Sequence, residues 1–109
     1  MNRRGPGPRP GKGPMLSDAD VGRIGAVLRS DRFSRAKLTD GTGVMTDAAS
    51  MRMLSLNETG MFLVEGLVSG LGREALVERL VEEFRVDGPA AHEDLERFLG
   101  ELDGFVGSG

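Results

Sequence analysis

The chain lacks several residue types on which protein chemistry often depends. Its 109 residues include no Cys, no Trp, no Tyr and a single His. Without Cys, disulfides, a thiolate nucleophile and thiolate metal sites are excluded. The imidazole of His92 has no second nitrogen ligand and no catalytic partner residue, so we expect no metal, no cofactor and no enzyme activity.

Long apolar runs are also missing. No stretch of the sequence is long enough to span a bilayer, and the basic N-terminus is not followed by the apolar segment of a signal peptide. The sequence therefore predicts a soluble, cytoplasmic protein that does not act at a membrane. Its length and its 39% hydrophobic residues suffice for one small domain.

Charge is distributed unevenly along the chain. The net charge is -3, but residues 1–14 carry four basic and no acidic residues, whereas twelve acidic residues face four basic ones from Glu58 onward. Gly and Pro dominate residues 1–14, which predicts a disordered tail. Residues 15–30 are interpreted as a lead-in that is either irregular or helical over 18–29, with Ser17 as the N-cap.

The middle of the chain alternates apolar and polar residues. This pattern predicts three short strands over residues 33–38, 44–46 and 51–56. The turn-forming sequences "DGTG" and "DAAS" separate them. The economical interpretation is an antiparallel meander, whose edge strands offer unpaired backbone groups to an extended peptide or to a covering segment of the same chain.

After Asn57 the pattern becomes helical. Asn is a favourable N-cap, and "MFLVEGLVSG" is apolar on most faces, as a buried helix is. Two amphipathic helices follow, in "REALVERLVEEF" and "VDGPAAHEDLERFLGELDGF". The order predicts a small α+β domain over residues 31–106, with three strands followed by three helices and a core that includes Leu56, Leu80, Leu95 and Phe98.

Three motifs carry a resemblance to a known family. They are "LNETG" at residues 56–60, "EEFRVD" at 82–87 and "DLERFLGEL" at 94–102. With them, roughly residues 28–106 resemble the family of the pyrroloquinoline quinone biosynthesis protein PqqD, whose members are also called RiPP recognition elements. The resemblance implies a winged-helix-like fold and a non-catalytic domain that binds the leader of a ribosomally made precursor peptide.

In that family the leader adds to the third strand, beside the last helix, and is presented to a modifying enzyme. The resemblance implies an enzyme partner such as a radical SAM protein or a lasso-type peptidase. It also implies peptide-binding residues on the third strand and on the last helix of this chain, namely Met51, Arg52, Met53, Leu54, Ser55, His92, Leu95, Glu96 and Leu99.

Two other classes of function compete with leader binding. One is a winged-helix regulator that binds nucleic acid, and the other is a structural module for protein interaction. The helices argue against the regulator, because "HEDLERFLGELDGF" has one Arg against five acidic residues and a recognition helix needs basic or amide side chains.

Overall fold

A computed structural model of the chain describes residues 16–107. The tail predicted for residues 1–14 lies outside this range. Within it, a helix precedes the three predicted strands and the three predicted helices. The elements in chain order are α1 (Asp18–Leu28), β1 (Phe33–Lys37), β2 (Gly43–Asp47), β3 (Arg52–Leu56), α2 (Glu58–Val68), α3 (Arg73–Phe84) and α4 (Gly88–Gly107).

The three strands form one antiparallel sheet in the order β1-β2-β3. β2 is central, so β1 and β3 are both edge strands among the described residues. The helices cover one face of this sheet, which confirms the predicted α+β class. The third strand begins at Arg52 rather than at the predicted Met51, because Met51 has a φ of 61° and belongs to the turn.

A buried carboxylate holds the turn between β2 and β3. Asp47 is completely buried and accepts hydrogen bonds from Nε and Nη2 of Arg32, each at 2.8 Å. It also accepts from the backbone N–H of Ala49 and the hydroxyl of Ser50, each at 2.9 Å. The Arg32 guanidinium, more than any other group, holds the pKa of Asp47 well below its usual range.

Side-chain caps start three of the helices. Asn57 Oδ1 accepts from the Gly60 N–H at 2.7 Å, as its position before α2 predicts. Asp87 Oδ1 likewise accepts from the Ala90 N–H at 2.8 Å. Ser17 forms a complete capping box with Asp20 at the start of α1. These caps locate the junctions between elements.

The core lies between the sheet and the helices and also includes one face of α1. Leu56, Leu80 and Leu95 are buried, as predicted, whereas Phe98 is only partly buried because it lies at the edge of the packed face of α4. α1 and α2 approach closely at Gly25, where an added Cβ would lie 2.7 Å from the Leu67 carbonyl oxygen. A glycine at this position therefore permits the contact between the two helices.

Candidate functional site

Alternate residues of β2 direct their backbone groups toward β3. The Ala48 N–H donates to the Arg32 carbonyl at 2.8 Å, and the Leu38 N–H donates to the Thr42 carbonyl at 2.7 Å, so β1 and β2 bond through even-numbered residues of β2. Because hydrogen-bonded pairs alternate along an antiparallel ladder, the odd-numbered residues bond β3. These are Gly43, Met45 and Asp47.

The outer edge of β3 therefore carries backbone groups that no described strand pairs with. Residues Arg52, Leu54 and Leu56 lie opposite the odd-numbered residues of β2 and bond that strand. Met53 and Ser55 direct their N–H and C=O groups to the open side of the sheet.

The exposed edge continues one residue past β3. Asn57 is still extended, with φ -75° and ψ 178°, so its N–H also faces outward. The Asn57 carbonyl is already occupied, because it accepts from the Met61 N–H at 2.8 Å. The edge therefore presents three outward N–H groups and two outward carbonyls.

Helix α4 contacts the start of β3 and the first turn of α2, which follows the strand. At the start of β3, the Arg52 guanidinium donates to the Phe105 carbonyl at 3.0 Å and lies 5.1 Å from the centroid of the Phe105 ring. Beyond the end of β3, the Phe98 ring packs over Gly60, where an added Cβ would lie 3.1 Å from the ring. The glycine of "LNETG" thus makes room for an aromatic side chain of α4.

A groove runs between the start of α2 and α4, next to the open edge. We call it the β3–α4 groove. Its lining residues are Asn57, Thr59, Gly60, Leu63, Asp94, Arg97, Phe98 and Glu101.

Two of the three charged residues in the β3–α4 groove form an ion pair with each other, and the third has no partner among residues 16–107. Arg97 donates to Asp94 at 2.6 Å, so these two charges are paired. Glu101 is exposed and forms no ion pair with any residue in 16–107. The apolar lining residues of the groove are Leu63 and Phe98, and the partly buried Leu54 belongs to β3 next to it.

The strand residues that the resemblance indicates lie at this edge. Met51 and Met53 are 78% and 67% exposed, and both are among the few large apolar side chains on the surface. Arg52 and Ser55 are exposed as well, whereas Leu54 is partly buried against the core. Exposed apolar side chains beside unpaired backbone groups suit contact with an extended chain.

The predicted residues of α4 lie elsewhere. Leu95 and Leu99 are fully buried, so neither offers surface to a ligand in this structure. His92 and Glu96 lie on the other side of α4, where the Glu96 carboxylate accepts from Nε and Nη2 of Arg73. The structure therefore does not bring these four side chains to the β3–α4 groove.

Arg73 connects three helices on that far side. It donates to Glu96 of α4, to Asp18 of α1 at 2.7 Å and to the Leu16 carbonyl. The hydrogen bond to Glu96 is the main cause of the raised pKa of Arg73. Glu96 therefore has a partner within the fold.

The groove residues of α4 are not among those that the sequence indicates for peptide binding. The sequence pattern assigns Asp94 to the polar face of an amphipathic helix and Phe98 to the core. One feature of the sequence points to the groove. Phe98 lies at the margin of the apolar stripe of α4, with charged residues on one side of it only.

The described part of the chain offers no groups for metal chemistry and no membrane span. In residues 16–107 there is no cluster of three or more His, Cys, Asp or Glu that could hold a metal ion. None of the helices in that range is long and apolar enough to cross a bilayer.

The fold and the groove define a small α+β domain with an open strand edge beside a helix. The family model described as Coenzyme PQQ synthesis protein D (PqqD) matches residues 42–104, which is more than half of the chain. The protein therefore belongs to the PqqD family.

The chain is also similar to a solved structure. The structure titled "TbiB1 in Complex with the TbiA(beta) Leader Peptide" superimposes with a TM-score of 0.63 and 27% sequence identity. The superposition covers 69% of this chain and 86% of TbiB1. No curated protein matches the chain.

Proposed function

We propose that the protein binds the leader of a ribosomally synthesised precursor peptide and presents it to a modifying enzyme. The observation that carries the proposal is the open edge of β3 beside α4, in a PqqD-family chain similar to a protein solved with a leader peptide. Binding by β-strand addition uses the backbone of the leader for affinity and its alternate side chains for specificity.

The backbone geometry sets the register of the added strand. Met53, Ser55 and Asn57 offer the outward groups, so the leader strand spans about five residues opposite 53–57. The leader side chain opposite Leu54 shares the inner face of the sheet. It then contacts Leu54 and Phe98, and an apolar residue fits there.

The domain acts by binding and not by catalysis. Neither the groove nor its surroundings contain a nucleophile and base pair, since the only histidine lies on the far side of α4. A partner enzyme then performs the chemistry on the precursor. The prediction from the sequence is that this enzyme is a radical SAM protein or a lasso-type peptidase. The cytoplasmic location and the winged-helix-like description also remain predictions from the sequence.

Hydrogen exchange tests strand addition on the protein side. The probe is the leader peptide of the precursor, added to the whole chain and followed by NMR. We expect the amides of Met53, Ser55 and Asn57 to gain protection, because the leader carbonyls accept from them. The Leu54 amide is an internal control, because it already bonds β2 and should change little.

N-methylation of the leader tests the same model on the peptide side. Methylation of a leader N–H that bonds β3 removes that hydrogen bond and leaves a protein carbonyl unpaired. Each such change should cost about 1 to 3 kcal/mol of binding free energy. The losses should recur every second residue. A scan that is flat, or that peaks every third or fourth residue, contradicts strand addition.

The nucleic-acid alternative is not favoured by the charges. The helical half of the chain has twelve acidic and four basic residues, and of these Asp94, Glu101 and Arg97 line the groove. A phosphate backbone would be repelled from this surface.

A further inference from the structure

The β3–α4 groove contains one exposed carboxylate that has no counter-ion among residues 16–107. Arg97 and Asp94 form a pair at 2.6 Å. At the start of β3, Arg52 is held by the carbonyl and ring of Phe105. Glu101 lies between Phe98 and Phe105 along α4, lines the groove, and has no counter-ion among residues 16–107.

We propose that Glu101 determines specificity by selecting a leader with a Lys or Arg near its apolar anchor. The inference rests on the proposed function and adds which charge the groove selects in the bound peptide. A strand seated opposite Leu54 places its apolar side chain against Phe98. A basic side chain within two residues of that anchor then lies close to the Glu101 carboxylate, one turn farther along α4.

The surroundings favour a cation at this position. Asp94, Arg97 and Glu101 together give this part of the groove a charge of minus one. Because the groove walls and the docked strand exclude part of the solvent, the attraction is screened less than between fully exposed charges. A leader with an acidic residue at the same place would bring two carboxylates together without a counter-ion.

Selection from a peptide library tests the inference without knowledge of the natural leader. The probe is a phage-displayed library of random dodecapeptides, selected in parallel on the wild-type chain, on Glu101→Lys and on Glu78→Lys. Glu78 is exposed on α3, away from the groove, and its substitution makes the same change in net charge. All three are full-length chains, and their folding is checked by circular dichroism.

We expect the wild-type chain and Glu78→Lys to enrich Lys or Arg within two residues of an apolar position. Glu101→Lys should enrich Asp or Glu there instead. For one selected peptide, Glu101→Lys should weaken binding by about tenfold, and a Lys-to-Glu change in the peptide should restore most of the loss.

The outcomes separate the inference from the proposed function. If peptides are enriched but Glu101→Lys keeps the basic preference, Glu101 does not set specificity, although strand addition stands. If Glu78→Lys changes the preference as much as Glu101→Lys does, the effect belongs to overall charge and the inference is wrong. If wild type enriches no peptide at all, the proposed function fails and the inference with it.

Discussion

The Arg52 guanidinium joins the beginning of β3 to the end of α4 by donating to the Phe105 carbonyl at 3.0 Å and stacking 5.1 Å from the Phe105 ring. This contact holds α4 against the start of β3, beyond one end of the groove. At the other end, the packing of Phe98 over Gly60 has the same role. The position of α4 is thus fixed by the Arg52 side chain of β3 at one end and by the Phe98 side chain of α4 at the other.

Replacement of Arg52 should loosen that end of the groove. We expect Arg52→Ala to lower the free energy of unfolding by about 1 kcal/mol, since it removes a charged hydrogen bond and a cation–π contact. Leader affinity, measured by fluorescence anisotropy, should fall by about tenfold. Arg35→Ala, at an exposed position of β1, is the control and should change neither quantity. Equal effects of both variants would mean that loss of a positive charge, and not the contact, is responsible.

Substitutions at Leu95 and Phe98 should distinguish an effect on stability from an effect on leader binding. Leu95 is fully buried, so Leu95→Ala should cost about 2 to 5 kcal/mol of unfolding free energy in chemical denaturation. Phe98 is partly exposed in the groove, so Phe98→Ala should cost less stability, about 1 to 2 kcal/mol. It should nevertheless weaken leader binding by at least about tenfold. Unchanged affinity in Phe98→Ala would remove this ring from the binding surface.

Glu96 tests which side of α4 faces the peptide. Glu96→Ala leaves the guanidinium of Arg73, only 14% exposed, without its main partner. We expect a loss of about 1 to 3 kcal/mol in unfolding free energy, and a leader affinity within about twofold of wild type. The exposed neighbour Glu93 supplies the control substitution, Glu93→Ala. A tenfold loss of affinity in a folded Glu96→Ala protein would support the site predicted from the sequence.

Asp47 should make stability depend on acid pH. Its pKa in the folded chain lies below the ordinary value of 3.8, so its ionised form stabilises the fold. This contribution is complete above the ordinary pKa and is lost as the pH falls through the folded pKa. Between about pH 5 and about pH 2, the thermal midpoint of wild type should fall more steeply than that of Asp47→Asn. Asp31→Asn, at an exposed position, should follow the wild-type curve; parallel curves for wild type and Asp47→Asn would contradict the role of this carboxylate.

Local signals in the sequence predicted most elements of the fold. Asn57 and Asp87 cap helices at the expected positions, and period-two alternation located the strands. The strand was predicted to begin at Met51, but Met51 belongs to the turn. Its left-handed φ, at a non-glycine residue, is imposed by the turn around Asp47. No local pattern predicts it.

The helix face of the site could not be predicted in the same way. The apolar stripe of α4 shows which residues are buried, but either flank of that stripe could face β3. On the flank with His92 and Glu96, Arg73 donates to the Glu96 carboxylate, although it lies 23 positions before Glu96 in the chain. Such long-range pairing depends on how α1, α3 and α4 pack together. The groove on the other flank therefore became visible only in three dimensions.

The open edge of β3 also affects the protein when no leader is bound. If its outward N–H and C=O groups paired with the β3 of a second copy, the exposed Met53 would pack across the pair. Self-association and leader capture would then compete for the same hydrogen bonds. The supply of precursor would thereby set the balance between monomer and dimer, and a concentrated stock without leader would respond more weakly to added peptide than a dilute one.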